Sequence, residues 1–106
     1  MNKLLNMLGL AKRAGKISQG SFICTKTIKS GIAELVIVAT DASENTKKSI
    51  RNSCDFYKIE LIEYSQMSEL GHAIGAGAPR SVVSVNDKNF AKAILDLYIL
   101  IETEKG

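Results

Sequence analysis

Apolar positions along the chain follow two spacings, one typical of helices and one typical of strands. Leu4, Leu8 and Ala11 recur at helical spacing and predict an amphipathic helix over residues 2–14. The β-branched run at 34–39 is bounded by polar residues, which predicts a central strand buried on both faces. The remaining predicted elements are, in chain order, an extended segment at 16–18, a helix over 20–31, a helix after residue 41, a strand at 58–64, a short helix at 65–73, a strand at 81–85 and a last helix after residue 87.

Helices that alternate with short apolar strands predict an α/β fold, a three-layer α/β/α sandwich with helices on both faces of the sheet. The length of 106 residues and the 45% hydrophobic composition suit one core, so we expect a single domain over residues 1–106. Asp41, Ser65 and Asp87 are predicted helix caps.

Two helices carry informative faces. In the third, Ile50, Cys54 and Tyr57 mark an inward face, and three cations follow the opposite one. The three cations are Lys47, Lys48 and Arg51. They form either a solvated helix face or a binding patch. The last helix is expected to point five side chains inward: Phe90, Ile94, Leu97, Tyr98 and Ile101.

The charge distribution is more informative than the net charge of +3. Residues 1–33 hold six basic residues and no acidic one, whereas residues 34–106 hold eight basic and eleven acidic residues. A one-sided phosphate-binding face needs this asymmetry, because cations must cluster where a polyanion lies. Ordinary solvated helix faces are the alternative explanation.

The composition offers little for metal, redox or membrane chemistry. Cys24 and Cys54 lie thirty positions apart and His72 is the single histidine, so neither a zinc site nor a redox pair is indicated, and no cofactor is expected. The longest strongly apolar run, 97–101, is far too short for a membrane helix, and the N-terminus lacks the pattern of a signal peptide. We therefore expect a cytoplasmic protein with buried thiols and no membrane partner.

Catalytic signatures are weak. No nucleophile with a base and no paired carboxylates are indicated, and His72 is better explained as a surface or helix-end residue. The glycine-rich stretch 71–80 lacks the ending of a P-loop and no strand runs directly into it. A loop that presents small residues and Arg80 to a flat partner such as nucleic acid fits better than a nucleotide site.

The head of the second helix is the best candidate phosphate site. Gly20 and Ser21 open the helix, so its free N–H groups can receive a phosphate, and Lys16 and Lys26 are expected nearby. The alternative is that Gly20 and Ser21 only turn and cap the chain.

Several segments, taken together, resemble a known family. They are LGLAKRAGKI at 8–17, Gly20, LVIVATDAS at 35–43, NTKK at 45–48, YKI at 57–59 and ELGHAIG at 69–75. Their order and spacing resemble the kink-turn RNA-binding ribosomal-protein family of archaea and eukaryotes, in particular its small bacterial YlxQ-like branch. The resemblance implies a four-stranded mixed sheet in the sandwich. It also implies an RNA site formed by the N-terminus of the second helix and by the loop after the short helix at 65–73, which contains Leu70 and Gly71.

The family motif at the second helix is Gly-x-Asn-Glu-x-x-Lys. Gly20 and Lys26 match it, whereas Phe22 and Ile23 stand where the family has the Asn and Glu that read sheared G·A pairs. Neither side chain can make those hydrogen bonds. Phe22 is either core or a platform for an unpaired base. The RNA-binding residues expected from the sequence and the resemblance are Lys12, Arg13, Lys16, Gly20, Ser21, Phe22, Lys26 and Arg80.

These observations predict a non-catalytic protein that binds structured RNA, in a ribosomal or other ribonucleoprotein context. The alternative is a protein-interaction module that kept the fold and lost RNA readout. Its apolar tail at 98–101 would then dock on a partner or form a weak homodimer. An enzyme or nucleotide-binding domain built around 71–80 is the third interpretation.

Overall fold

A computed structural model describes residues 2–105. Four strands form one mixed sheet in the order β1-β4-β2-β3. The strands are β1 (Ile17–Gln19), β2 (Leu35–Val38), β3 (Glu60–Glu63) and β4 (Val82–Val85). The helices are α1 (Lys3–Arg13), α2 (Ser21–Lys29), α3 (Glu44–Tyr57), α4 (Met67–Ala73) and α5 (Lys88–Lys105).

The sheet is mixed because β4 runs against its neighbours. β2 and β3 pair in parallel, with Val38 opposite Glu63, and β4 is antiparallel to both β1 and β2. Helices α2 and α3 pack together as one layer, and α1 packs against α4 and α5 in the other. The predicted three-layer α/β/α sandwich with a four-stranded mixed sheet is therefore confirmed.

The core follows the apolar spacing of the sequence. All four residues of β2 and of β4 are buried, as strands covered on both faces should be. Leu4, Leu8 and Ala11 of α1 are fully buried, as predicted. In α5, Ile94 is buried, and the other predicted inward residues are half-buried against the core: Phe90, Leu97, Tyr98 and Ile101.

A chain of hydroxyl and amide groups anchors α2 to the sheet. Thr27 Oγ1 lies 3.0 Å from Ser84 Oγ, Ser84 donates to Asn86 Oδ1, and Asn86 Nδ2 donates to Ser18 Oγ. Thr27 and Ser84 are buried polar residues, so each needs such a partner. This chain fixes where α2 lies over β1 and β4.

Two predicted helix caps are wrong. Helix α3 is capped by Ser43, whose side chain accepts from the N–H of Thr46, while Asp41 accepts from the N–H of Met67 at the start of α4. Helix α4 begins after Gln66 and not after Ser65. Asp41 and Ser65 both lie one or two residues too early, in the turns that leave the sheet. The third predicted cap, Asp87, is confirmed because it accepts from the N–H of Phe90.

The inward face predicted for α3 is correct for Ile50 and Cys54 and wrong for Tyr57. Tyr57 is exposed at the last residue of the helix, and its ring lies 4.9 Å from that of Phe56. In residues 2–105 no helix has both the length and the apolar character needed to cross a bilayer.

Candidate RNA-binding surface

Helix α2 begins without a side-chain cap. Gly20 precedes it with φ +91° and ψ 146°, a conformation that is essentially restricted to glycine, and no side chain accepts a hydrogen bond at this end. Cys24 supplies the first N–H that bonds within the helix. The N–H groups of Ser21, Phe22 and Ile23 are thus left for an external acceptor, and all three residues are exposed. The helix end is open, as predicted.

Arg80 joins a loop to this helix end. Its Nε donates to Gln19 Oε1 over 2.5 Å, directly before Gly20, and its Nη1 donates to the carbonyl of Pro79. Among the hydrogen bonds of the described residues, none involves Nη2 of Arg80. Two chain segments far apart in sequence thereby place a guanidinium beside the open helix end.

The loop at 74–80 is folded against α4. A Cβ on Gly71 would lie 2.1 Å from the carbonyl oxygen of Ala78, so only glycine lets the loop come this close. The N–H of Arg80 donates to the carbonyl of Met67 over 3.0 Å. We call the surface formed by residues 20–23 and by Arg80 at the end of this loop the α2–loop surface.

Phe22 lies on the surface and not in the core. Its side chain is 71% exposed and that of Ile23 is 45% exposed. Lys26 Nζ lies 4.6 Å from the centroid of the Phe22 ring, a cation–π distance. The two positions at which the family has Asn and Glu are therefore accessible, but here they carry apolar side chains, with Lys26 beside them.

The structure separates Lys16 from the helix end, so the expected proximity of Lys16 to Gly20 is wrong. The three residues of β1 lie between them, and an extended strand rises about 3.3 Å per residue, which puts the two Cα atoms about 13 Å apart. Lys16 is instead bonded at the other end of the sheet, where its carbonyl accepts from the N–H of Asn86. The predicted extended segment at 16–18 is therefore present as β1, and its length carries Lys16 away from Gly20.

Lys12 and Arg13 lie at the end of α1, where they line a groove between α1 and α4. The groove also includes His72 and Gly75, and Gly75 belongs to the loop that ends at Arg80. These two cations therefore flank the far end of the same loop and not the head of α2.

The cations of α3 do not join the surface. Lys47 is only 12% exposed in its side chain, because Nζ lies 3.0 Å from Glu63 Oε1 and donates to the carbonyl of Thr40. The solvated-face interpretation is wrong for Lys47, whereas Lys48 and Arg51 are exposed, as both a solvated face and a binding patch require.

Gln19, which holds Arg80 at the α2–loop surface, is not revealed by the sequence. No spacing or motif distinguishes a glutamine at the end of a short strand. Its partner lies 61 positions away, so only the folded chain shows the pair.

The family model described as "Ribosomal protein L7Ae/L30e/S12e/Gadd45 family" matches residues 2–95. The "RNA-binding protein YlxQ" of Enterococcus faecium is 38% identical over 95 residues, 90% of each chain. The protein of the same name in Bacillus subtilis (strain 168) is 38% identical over 91 residues, 86% of this chain and 90% of that one.

Two solved structures have the same fold. A protein with unknown function from Bacillus halodurans C is 34% identical, with a TM-score of 0.88 over 92% of this chain and 97% of that one. The Giardia lamblia 15.5kD RNA binding protein is 22% identical, with a TM-score of 0.79 over 94% and 85% of the two chains, and shows likeness of fold alone.

The curated relatives are named for RNA binding and not for a reaction, in agreement with the prediction that the chain is not an enzyme. The predicted resemblance to the YlxQ-like branch is confirmed by the same comparisons. With 94 consecutive residues matched by the family model, this chain belongs to the ribosomal protein L7Ae/L30e/S12e/Gadd45 family.

Proposed function

We propose that this protein binds structured RNA at the α2–loop surface and catalyses no reaction. The observation that carries the proposal is the Arg80–Gln19 hydrogen bond, because it holds a guanidinium next to a helix end whose N–H groups are open. N–H groups at a helix end and a planar cation both suit phosphate oxygens. The names of the curated relatives support RNA as the polyanion.

The surface suits backbone and stacking contacts better than base-edge readout. Ser21 and Lys26 are exposed and offer a hydroxyl and an ammonium to the backbone, and the exposed Phe22 ring offers a face to an unpaired base. Phe22 and Ile23 have no side-chain donor or acceptor, so they cannot read the edges of a G·A pair. The RNA is therefore recognised mainly by its bent shape and its phosphates.

We further propose that the RNA contains a kink-turn or a similar sharp bend and belongs to a ribosomal or other ribonucleoprotein particle in the cytoplasm. A bend brings two stretches of backbone close together, which suits a surface built from a helix end and a loop on separate chain segments. The alternative, an interaction module that has lost RNA binding, is not favoured because the relatives carry RNA-binding names.

A binding titration with two matched RNAs tests the proposal. One is a fluorescein-labelled hairpin that contains a kink-turn, and the other has the same length and a fully paired stem. We expect tighter binding of the bent RNA at physiological salt. Equal binding of both RNAs would refute recognition of the bend, and no binding of either at low salt would refute RNA binding itself.

A further inference from the structure

The groove between α1 and α4 has the features of a second ligand site. Gly9 brings the helices together, since a Cβ there would lie 2.9 Å from the carbonyl oxygen of Ala73. The groove has a volume of about 320 Å³ and is lined on its rim by Lys12, Arg13 and His72. We call it the α1–α4 groove.

The groove pairs an apolar floor with a cationic rim. Leu5 and Ile74 line the floor, and no Asp or Glu is among the lining residues. In the described part of the chain, no carboxylate lies within salt-bridge distance of Lys12 or Arg13, whereas other lysines such as Lys47 and Lys92 are paired. Such a groove suits a ligand that is apolar on one side and anionic on the other, as a nucleotide is.

The exposed imidazole of His72 stands where this groove meets a second hollow of about 530 Å³. Both hollows also share Gly75, and the second continues along Gly77 to Pro79, next to Arg80. A third hollow also opens at His72 but contains Glu69, whose negative charge disfavours phosphate. The two hollows without an acidic residue therefore run from Lys12 and Arg13 past His72 to Pro79, the residue before Arg80.

We propose that the α1–α4 groove binds a single-stranded segment of RNA that extends from the structured element held at the α2–loop surface. Lys12 and Arg13 contact its phosphates, and His72 stacks on one of its bases. The inference deepens the proposed function, since it assumes that the polyanion is RNA. It gives Lys12 and Arg13 a role that their distance from the head of α2 left without explanation.

A nuclear magnetic resonance titration of the ¹⁵N-labelled full chain with an oligouridine of eight nucleotides tests the inference. We expect amide shifts at residues 12–13, His72 and Gly75. A kink-turn hairpin without single-stranded ends is titrated in parallel and is expected to shift Gly20, Ser21 and Arg80. The oligouridine and the hairpin therefore report on separate surfaces.

The double variant Lys12→Ala with Arg13→Ala is expected to weaken oligouridine binding about fivefold or more and to leave hairpin affinity within twofold of the parent. Lys29→Ala, an exposed lysine on α2, is the matched control and leaves oligouridine binding unchanged. The amide spectrum of each variant verifies its fold.

The outcomes separate the two proposals. Shifts from the hairpin at the head of α2, without groove shifts from oligouridine, would overturn the groove inference and leave the proposed function intact. Groove shifts from oligouridine without hairpin binding would support the groove and overturn recognition of structured RNA. Absence of shifts with both RNAs would overturn both.

Discussion

Arg80 donates from Nε to Gln19 Oε1 across 2.5 Å, which ties the loop at 74–80 to the residue before Gly20. Because the guanidinium is held by the end of β1, its position relative to the open N–H groups of α2 is set by the sheet and not by the loop alone. Replacing Arg80 by Ala removes the guanidinium and the hydrogen bonds that we propose it donates to RNA phosphates. The loss of a hydrogen bond to a charged group costs about 1.5 to 3 kcal/mol.

We therefore expect Arg80→Ala to raise the Kd for a kink-turn RNA roughly tenfold to a hundredfold, measured by fluorescence anisotropy. Arg80→Lys keeps the positive charge but loses the planar guanidinium, so its Kd should lie between those of the parent and of Arg80→Ala. Arg51→Ala removes an exposed arginine of α3 and serves as the control. Unchanged affinity in Arg80→Ala would exclude this guanidinium from the RNA site.

Restoring the family motif is expected to strengthen RNA binding. The double variant Phe22→Asn with Ile23→Glu places hydrogen-bonding groups at two exposed positions, so the fold should tolerate it. Each recovered base contact is worth about 1 to 3 kcal/mol by analogy with DNA readout. The Kd for a kink-turn RNA should fall at least about tenfold, and the Kd for a matched duplex should not.

The matched control for this pair is Phe22→Ala, which removes the ring without adding a polar group. If the double variant folds normally and binds the kink-turn RNA no better than the parent, the geometry of the family's readout is absent from this surface.

Lys26 is expected to contact RNA phosphates and not to distinguish one base sequence from another. Each neutralised phosphate contributes about 0.9 to the slope of log K against log salt on a duplex, so Lys26→Ala should reduce the slope by about one. The same variant should weaken several RNAs nearly equally. Lys29→Ala, at the other end of α2, should leave the slope unchanged.

The Lys26 prediction fails if the variant loses one RNA and keeps another, because that pattern would mean that Lys26 reads sequence or shape. RNA affinity of the parent that barely changes between low and physiological salt would remove the electrostatic account altogether.

The buried thiols predict a loss of stability in alkali. Burial raises the pKa of Cys24 from 9.0 to about 11, and burial together with the charge of Asp55 raises the pKa of Cys54 to about 11. The folded chain therefore keeps both thiol protons at a pH where the unfolded chain releases them. Stability from this source is complete below pH 9 and is lost as the pH rises from 9 to 11.

Two pKa units correspond to about 2 to 3 kcal/mol for each thiol. We expect the free energy of unfolding, measured in urea, to fall between pH 8 and pH 11 by roughly the sum for the two thiols, and by less in Cys24→Ala. Burial also raises the pKa of Tyr98, but this tyrosine is present in both proteins and cancels in the comparison. If the free energy of unfolding fell equally in the parent and in Cys24→Ala, ionisation of Cys24 would not be the cause of the loss of stability.

Local patterns predicted the elements of the fold well, because burial on one or two faces leaves a spacing that can be read along the chain. Leu4, Leu8 and Ala11 of α1 and the buried run of β2 are examples. The predicted cap of α3, Asp41, is wrong because Asp41 and Ser43 are both suitable acceptors and the sequence does not distinguish them. Tertiary placement assigned Asp41 to Met67 on another helix.

The candidate site was predictable in part. The glycine that opens α2 follows from its position ahead of an apolar helix, and the structure confirms the open end at Gly20. Local sequence could not decide whether Phe22 is core or surface, because neighbours from other elements determine that. The Arg80–Gln19 pair depends on how distant segments meet.

The central claim is that the α2–loop surface binds RNA, and ultraviolet crosslinking in cells tests it most directly. The protein is crosslinked, the bound RNA is recovered and sequenced, and the crosslinked residues are identified by mass spectrometry. We predict enrichment of a defined structured RNA, with crosslinks at Phe22 and in the loop at 74–80. Recovery of no enriched RNA, or crosslinks at neither Phe22 nor the loop at 74–80, would contradict the account.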